Sequence, residues 1–317
     1  MKFSTILPVY NRAPIVAQAL TSVLTQTRPP DEVIVVDDGS TDDLTTALAP
    51  FAGRITLVRQ KNAGVAAARN VGCAAATGDW LTFQDSDDLW TPDHLAVVAR
   101  DLTAATPDVV CHIGNVDYVG ANYRQDLFSL KRRTYAPGHA VRVDPALPLV
   151  ISGMTLQGSA VRRDVFARVG GFDETMRLYE DSAFFCQLAL EGPFLVTGDT
   201  LADIRRLDDD ATSLTVQEGS DPRRARALHV RYLTALLPRD LSPDLRDCVN
   251  IHLAGAEFML AQVTAATDPA AARRLLWSSA RRHPKPRTGW GKAAVALLMG
   301  PRGYAMILDR NKSFDRK

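Results

Sequence analysis

The 317-residue sequence has few cysteines, no long apolar run and almost no net charge. No apolar run approaches the roughly 20 residues of a membrane span, and a formal net charge of +1 gives no field that favours nucleic acid. A strand-like segment begins at residue 3, which leaves no room for a signal peptide, so we expect a cytoplasmic protein without a nucleic-acid partner. The four cysteines are far apart and form no C-x-x-C pair, which favours buried thiols over disulfides. They are Cys73, Cys111, Cys186 and Cys248.

The sequence also lacks the glycine-rich loops of several nucleotide-binding classes. The first strand-like segment is followed by Tyr10 and Asn11 rather than by the G-x-G-x-x-G loop of dinucleotide-binding dehydrogenases. No glycine-rich, basic pyrophosphate loop follows near the N-terminus, which disfavours a nucleotidyltransferase. We see no repeat and no low-complexity tract.

Apolar segments typical of buried strands alternate with segments of helical periodicity in the first part of the chain. The predicted strands are 3–9, 32–36, 55–58, 80–83 and 109–113, and the predicted helices are 15–24, 64–76 and 91–104, the last beginning with Thr91 as N-cap. This order predicts a doubly wound α/β sheet, in which ligands bind at the carboxyl ends of the strands.

The second half of the chain has a different character. Residues 120–160 show little periodicity, and short helices are predicted at 162–169 and 180–190. Segments near 222–237, 243–264 and 268–282 are rich in Ala, Leu and Arg and indicate helices. We therefore predict an α/β domain over 1–218, divided into halves 1–115 and 116–218, and a helical extension over 219–317.

Two acidic clusters follow predicted strands directly. Asp37-Asp38-Gly39-Ser40 comes after the second strand, and Asp85-Ser86-Asp87-Asp88 comes after the strand 80–83. Carboxylates at the ligand-binding edge of a sheet suit Mg²⁺ or Mn²⁺, which also bridge phosphate oxygens. The alternative for either cluster alone is a turn or a helix cap. Two clusters, each placed after a strand, favour the ligand-binding interpretation.

A third acidic pair, Glu180-Asp181, opens a predicted helix. Acids in a first helical turn are stabilised by the helix dipole, which alone favours a capping role. We expect the same interaction to keep the carboxylate ionised at neutral pH, as a general base requires.

Together these segments resemble glycosyltransferase family 2, the inverting enzymes of GT-A fold, over roughly residues 3–215. The motifs that carry the resemblance occur in family order and spacing: PVYN at 8–11, VVDDGSTD at 35–42, NAG at 62–64, ARNVG at 68–72, GDWLTFQDSDD at 78–88, GGFDE at 170–174, and Glu180-Asp181. The resemblance implies a GT-A mixed sheet flanked by helices.

The resemblance also implies roles for individual residues. Asp181 would be the catalytic base, with Glu180 as its substitute, and Asp87 would ligate the metal with Asp85 beside it. Asp38 would accept a hydrogen bond from the nucleotide base, with a turn-stabilising role as the alternative; for Arg69 the alternative is a solvated helix arginine. The implied donor-binding residues are Pro8, Tyr10, Asn11, Asp38, Arg69, Asp85, Ser86 and Arg205.

The implied function is metal-assisted transfer of a sugar from a nucleotide-diphosphate donor, a UDP-sugar, to a hydroxyl of a saccharide or lipid-linked acceptor. The cofactor would be Mn²⁺ or Mg²⁺, and a single displacement would invert the anomeric centre. Such an enzyme would serve polysaccharide or glycolipid synthesis. The alternative is a catalytically inactive nucleotide-sugar-binding partner protein.

Two features qualify these expectations. The family often carries a Tyr-Arg-x-His stretch, and here Ile204-Arg205-Arg206-Leu207 places leucine at the histidine position, so the full metal ligand set does not carry over. Residues 281–306 begin with several basic residues, and apolar residues follow. That pattern favours a helix packed on the catalytic domain, and the alternative is a peripheral contact with the inner face of a membrane.

Overall fold

The computed structural model describes residues 1–206 and 221–282. The described residues fall into two compact units, one within Met1–Asp210 and one within Ala211–Lys317. The predicted boundary at 218/219, Leu207 and most of the tail 281–306 lie outside the described residues. In the described part of the chain, no helix is long and apolar enough to cross a membrane.

The first unit is built on a mixed sheet flanked by helices, as the family resemblance implies. Its strands are β1 (Phe3–Val9), β2 (Glu32–Asp37), β3 (Thr56–Arg59), β4 (Trp80–Phe83), β5 (Leu89–Trp90), β6 (Cys111–Gly120), β7 (Tyr123–Asp126), β8 (Val141–Val143), β9 (Ser159–Arg162) and β10 (Phe194–Arg205). Its helices are α1 (Val16–Leu24), α2 (Leu44–Leu48), α3 (Val65–Ala75), α4 (His94–Thr103), α5 (Leu127–Leu130), α6 (Leu147–Val150), α7 (Arg163–Val169) and α8 (Glu180–Leu188), with 3₁₀ turns at Ala49–Phe51 and Leu156–Gly158.

The strands run in the order β3-β2-β1-β4-β9-β6-β10-β5, with β7 beside β6 and β8 beside β10. The first four are parallel, and β9 is antiparallel to both β4 and β6. Every residue of β1 is buried, Ser4 and Thr5 included, as expected for a strand in the interior of a parallel sheet. The parallel strands bring the segments after β1, β2 and β4 to one edge, where ligands bind in such sheets.

The helix α3 packs closely on this parallel part because it carries glycine at its contact point. A Cβ atom at Gly72 would lie 2.6 Å from Cγ2 of Ile6 and 3.1 Å from Cγ2 of Val36. The backbone of α3 therefore approaches β1 and β2 more closely than a larger residue would permit.

Several boundaries differ from the sequence-based predictions. Helix α4 begins at His94 rather than after Thr91, because the Thr91 hydroxyl lies against the carbonyls of Thr200 and Leu201 in β10 instead of capping the helix. Strand β6 begins two residues later than predicted and extends to Gly120. The strands β5, β7, β8, β9 and β10 were not predicted. The predicted end of α7 is confirmed, since Gly170 adopts the left-handed conformation there.

The second unit consists, in its described part, of α9 (Pro222–Thr234), α10 (Pro243–Thr264) and α11 (Pro269–Arg282), which confirms the three predicted helices. Small and aliphatic side chains of α10 and α11 form its core, including Ala261 and Leu276 with Phe258 packed against them. All four cysteines of the chain are free thiols, as predicted; Cys248 is half-buried and the others are buried.

Candidate functional site

The segments that follow β1 and β2 are tied together by the side chains of Asn11, a predicted donor-binding residue, and Ser40. The amide of Thr41 donates to Oδ1 of Asn11 at 2.7 Å, and the amide of Asn11 donates to the Ser40 hydroxyl at 3.0 Å. Asn11 adopts a left-handed conformation, which asparagine tolerates better than most residues. Beside it Pro8 is buried and Tyr10 is exposed, so the tyrosine ring is presented to solvent at the sheet edge.

Asp38 is buried after β2, where it organises the loop that leads into α3. Its Oδ1 accepts from the amide of Ala63 and the side chain of Gln60, both at 2.8 Å, and its Oδ2 accepts from the amide of Gly64 at 2.9 Å. The turn-stabilising role considered as the alternative is therefore present in the structure. A contact with a nucleotide base stays a prediction.

Arg69 lies at the centre of a buried network that joins three motifs distant in sequence. From α3 it donates through Nη2 to Oδ1 of Asp85 and through Nη1 to Oε1 of Glu180, both at 2.8 Å. The other carboxylate oxygen of Asp85 accepts from the Gln157 side chain at 2.5 Å. Arg69 is only 4% exposed, so the solvated helix arginine of the alternative interpretation is wrong. Burial alone would lower its pKa, but the charges of Asp85 and Glu180 outweigh burial and raise it.

Asp87 and Asp88 form a second cluster with the end of β10. The backbone amide of Arg205 donates to Oδ1 of Asp88 at 2.8 Å, and the Arg205 guanidinium donates to the carbonyl of Asp87 and to Oε1 of Gln18. Burial, together with the charges of Asp87 and Asp85, raises the pKa of Asp88 well above its ordinary value. Ser86 is buried between these acids, whereas Asp87 stays partly exposed, with Oδ2 at 3.6 Å from Nη2 of Arg12.

Asp181 lies in the first turn of α8, directly after the buried Glu180. It is partly accessible to solvent, and its Oδ1 accepts from the amide of Ser182 at 2.6 Å. Burial, followed by the charge of Glu180, raises its pKa to about 7, against the opposing effect of Arg69. The expectation that the helix dipole alone keeps this carboxylate fully ionised at neutral pH is therefore wrong, because desolvation and the like charge dominate.

The loop before α8 is fastened to α3 by Asn70. The Asn70 side chain donates to the carbonyl of Phe172 and to Glu174, and accepts from the amide of Phe172, all at 2.9 Å. The motifs 68–72 and 170–174 are thus in direct contact. This contact holds the start of α8 beside the network around Arg69.

The structure brings together most, but not all, of the predicted residues. Arg69, Asp85 and Glu180 are in contact, and Arg205 meets the Asp87–Asp88 segment, while Pro8, Tyr10, Asn11 and Asp38 lie along the β1–β2 edge. Sequence reasoning missed the partners Arg12, Gln18 and Gln157. Gln157 lies in the segment 120–160, where no periodicity marked it, and only its spatial position against Asp85 reveals it.

The carboxylates fit a divalent cation that takes few protein ligands. No group of three or more His, Cys, Asp or Glu side chains poised for a metal occurs within 1–206 or 221–282. Both oxygens of Asp85 accept hydrogen bonds from protein groups, so Asp85 would have to exchange one of them to ligate a metal directly. In nucleotide sites Mg²⁺ is commonly bound by one or two carboxylates, and substrate phosphates and water complete its coordination.

A family model described as Glycosyl transferase family 2 matches residues 4–170. Succinoglycan biosynthesis protein ExoW of Rhizobium meliloti is 32% identical over 221 residues, which cover 64% of this chain and 68% of ExoW. An uncharacterized glycosyltransferase of Rickettsia conorii is 45% identical over 98 residues, and that match covers 30% of this chain but only 16% of the relative.

Solved structures share the fold at low sequence identity. The S. aureus TarS 1-349 structure in complex with UDP-GlcNAc has a TM-score of 0.67 at 20% identity, covering 94% of this chain and 84% of TarS 1-349. The mannosyltransferase PcManGT from Pyrobaculum calidifontis, in complex with GDP-Man and Mn²⁺, has a TM-score of 0.59 at 22% identity and covers 100% and 81% of the two chains.

Proposed function

The chain belongs to glycosyltransferase family 2, and on that premise we propose that it transfers a sugar from a nucleotide-diphosphate donor to an acceptor hydroxyl with inversion. The observation that carries the proposal is the position of Asp181. It is a partly exposed carboxylate whose pKa is raised to about 7 by burial and by the charge of Glu180. It directly follows Glu180, which Arg69 joins to Asp85 after β4. A base that titrates near the working pH is effective in proton transfer.

The proposed step is a single displacement at the anomeric carbon. Asp181 accepts the proton of the acceptor hydroxyl while the acceptor oxygen forms its bond to that carbon. The bond from the anomeric carbon to the diphosphate oxygen breaks on the opposite face, and its electron pair leaves with the diphosphate. No covalent intermediate with the protein is needed, and the rate gain comes from alignment and electrostatic stabilisation.

The donor would bind along the edge formed by β1, β2 and β4. Exposed Tyr10 offers a ring surface for the nucleotide base, and Asp38 shapes the loop beside it. The structures of TarS 1-349 and PcManGT are complexes with UDP-GlcNAc and with GDP-Man, which supports a nucleotide-sugar donor of this kind. We propose a UDP-sugar, and the succinoglycan role in the name of ExoW supports a saccharide acceptor.

Asp87 would hold a divalent metal, with Asp85 positioned beside it by Arg69 and Gln157. Bound there, Mn²⁺ or Mg²⁺ supplies charge that neutralises the leaving diphosphate. Arg205 would assist, and this is supported by its Nη2 atom, which is buried with no hydrogen-bond partner in the described part of the chain. An arginine fork matches phosphate oxygens well.

The direct test is release of nucleoside diphosphate from a panel of UDP- and GDP-sugars with Mn²⁺, in the presence of saccharide and membrane extracts as acceptors. We expect turnover with one donor class. Tight donor binding without turnover in any acceptor extract would instead identify an inactive nucleotide-sugar-binding protein. Failure to bind any nucleotide sugar would refute both the transfer reaction and the inactive binding-protein alternative.

A further inference from the structure

The helical unit contains a cleft lined by residues of its own helices. It has a volume of about 540 Å³ and lies between α10 and α11, lined by Asn250, Arg274, Trp277, Ser278, Arg281 and Arg282. Four of these residues, at 274, 277, 278 and 281, share the spacing of a single face of α11. The volume is in the range of small-molecule sites and exceeds that of a bare phosphate ion.

The charge of the cleft is positive and only partly compensated. Among the described residues, its lining holds three arginines and no carboxylate. The nearby buried Glu257 accepts from Nε of Arg282 at 3.0 Å and from the Ser278 hydroxyl at 2.8 Å, so one arginine is neutralised. Arg274 and Arg281 make no ion pair with the described residues and are exposed. Two guanidinium groups in one cleft therefore stay available to an anion.

An aromatic surface lies between these two charges. Trp277 is 50% exposed although it is a large apolar side chain, and the Arg281 guanidinium carbon lies 5.2 Å from its ring centroid. Tryptophan combines a broad apolar face with a single donor, a combination enriched at binding surfaces. The amide of Asn250 and the hydroxyl of Ser278 add neutral hydrogen-bonding groups to the same cleft.

We propose that this cleft binds an anionic saccharide, a sugar that carries a phosphate or carboxylate group. Arg274 and Arg281 pair with the anionic group, because guanidinium groups match the geometry of phosphate and carboxylate oxygens. The Trp277 ring packs on the apolar face of the sugar, and Asn250 and Ser278 bond its hydroxyls. Binding in this cleft is assayed without a sugar donor, so failure of this proposal can be distinguished from failure of the proposed function.

The test follows the indole N–H resonance of Trp277 in the full chain by NMR, assigned with Trp277→Phe. Titrations use glucose 6-phosphate, glucose and inorganic phosphate as probes. We expect glucose 6-phosphate to shift this resonance with a Kd at least ten-fold below those of glucose and of phosphate. Equal affinity for the three probes, or no shift with glucose 6-phosphate, would overturn the proposal.

Variants of α11 distinguish binding in this cleft from attraction by general surface charge. The double variant Arg274→Ala/Arg281→Ala is expected to raise the Kd at least ten-fold. Arg273→Ala removes the same charge from the neighbouring position of α11, which does not line the cleft, and is expected to change the Kd less than two-fold. An equal loss in Arg273→Ala would show non-specific attraction and refute the site; circular dichroism verifies that each variant keeps its helices.

Two further probes separate the possible sources of the anion. Uridine monophosphate tests a nucleotide ligand, and vesicles of phosphatidylglycerol, compared with phosphatidylcholine, test a lipid headgroup. We expect both to bind more weakly than glucose 6-phosphate. Tighter binding of the nucleotide, or of the anionic vesicles with the same sensitivity to Arg274→Ala/Arg281→Ala, would contradict the saccharide assignment.

Discussion

At the scale of single residues, the acids of the candidate site differ in the environment that sets their charge. Asp181 is partly buried beside Glu180, which raises its pKa to about 7. Asp164 on the surface is hydrogen-bonded by Arg162, which lowers its pKa. Ionisation of these two aspartates therefore affects the stability of the fold in opposite directions. The difference can be measured as the pH dependence of unfolding.

We predict that Asp181→Asn raises the melting temperature at pH 8 and that the gain shrinks towards pH 5. A carboxyl whose pKa is higher in the folded than in the unfolded state stabilises the fold below the unfolded value near 4, and this contribution is lost as pH rises through about 7. Thermal unfolding at the two pH values checks the sign. The control Asp164→Asn should give no gain at pH 8, and an equal gain in both variants would contradict this assignment.

Arg69 is the residue whose loss should cost the most stability. Arg69→Met leaves Asp85 and Glu180 without their shared cation, and breaking a buried ion pair costs about 3–5 kcal/mol. The exposed Arg59, 3.6 Å from Asp37, is the matched control, and Arg59→Met should cost less than about 1 kcal/mol. Urea denaturation measures both; similar losses would mean that the buried network does not stabilise the fold.

At the scale of elements, periodicity predicted strands and helices well where the apolar pattern decides burial. β1 and β4 were placed at their observed bounds, and the three helices of the second unit were found. Sequence could not place β9, because its pairing with β4 and β6 joins segments some 50 to 80 residues apart that local pattern does not encode. For the same reason Gln157, which lies next to this strand, was not identified as a partner of Asp85.

Two helical glycines should respond in opposite ways to the same substitution. Gly72→Ala places a Cβ against Ile6 and Val36, and overpacking of this kind costs about 1–3 kcal/mol, more than the gain in helix propensity. Gly255 in α10 has nothing within 4 Å of a new Cβ, so Gly255→Ala should stabilise its helix by about 0.5–1 kcal/mol. Denaturation followed by circular dichroism compares them, and stabilisation by both would refute the close contact of α3.

At the scale of the whole molecule, the motifs of one family predicted the sheet and the edge on which its acids gather. The sequence placed Asp38 after the second strand and Asp85 and Asp87 after the strand 80–83. In the fold these strands, β2 and β4, flank β1, so their carboxyl ends lie at one edge of the sheet. What the sequence could not supply is the coupling between them. Arg69 joins the acids after β4 to those of α8, and its two partners lie 16 and 111 residues away.

Binding of metal and nucleotide should be visible as stability of the entire chain. UDP with Mn²⁺ is expected to raise the melting temperature by several degrees, because a ligand at 100 times its Kd stabilises by about 2.7 kcal/mol. Asp87→Asn should lose most of the Mn²⁺-dependent rise in melting temperature, and Asp164→Asn should keep that rise. A rise that is independent of Mn²⁺ in the unmodified protein would contradict a metal held at Asp87.

The central claim, that Asp181 is the base of a sugar transfer, is tested most directly by the transfer rate as a function of pH, with Asp164→Asn as control. In the unmodified protein the rate should rise through about pH 7 as Asp181 loses its proton. Asp181→Asn should lower the rate by roughly a hundred-fold or more at every pH, while UDP affinity stays within about three-fold, since the base acts in the chemical step. A variant that keeps a rate within ten-fold of the unmodified protein would show that another group removes the acceptor proton.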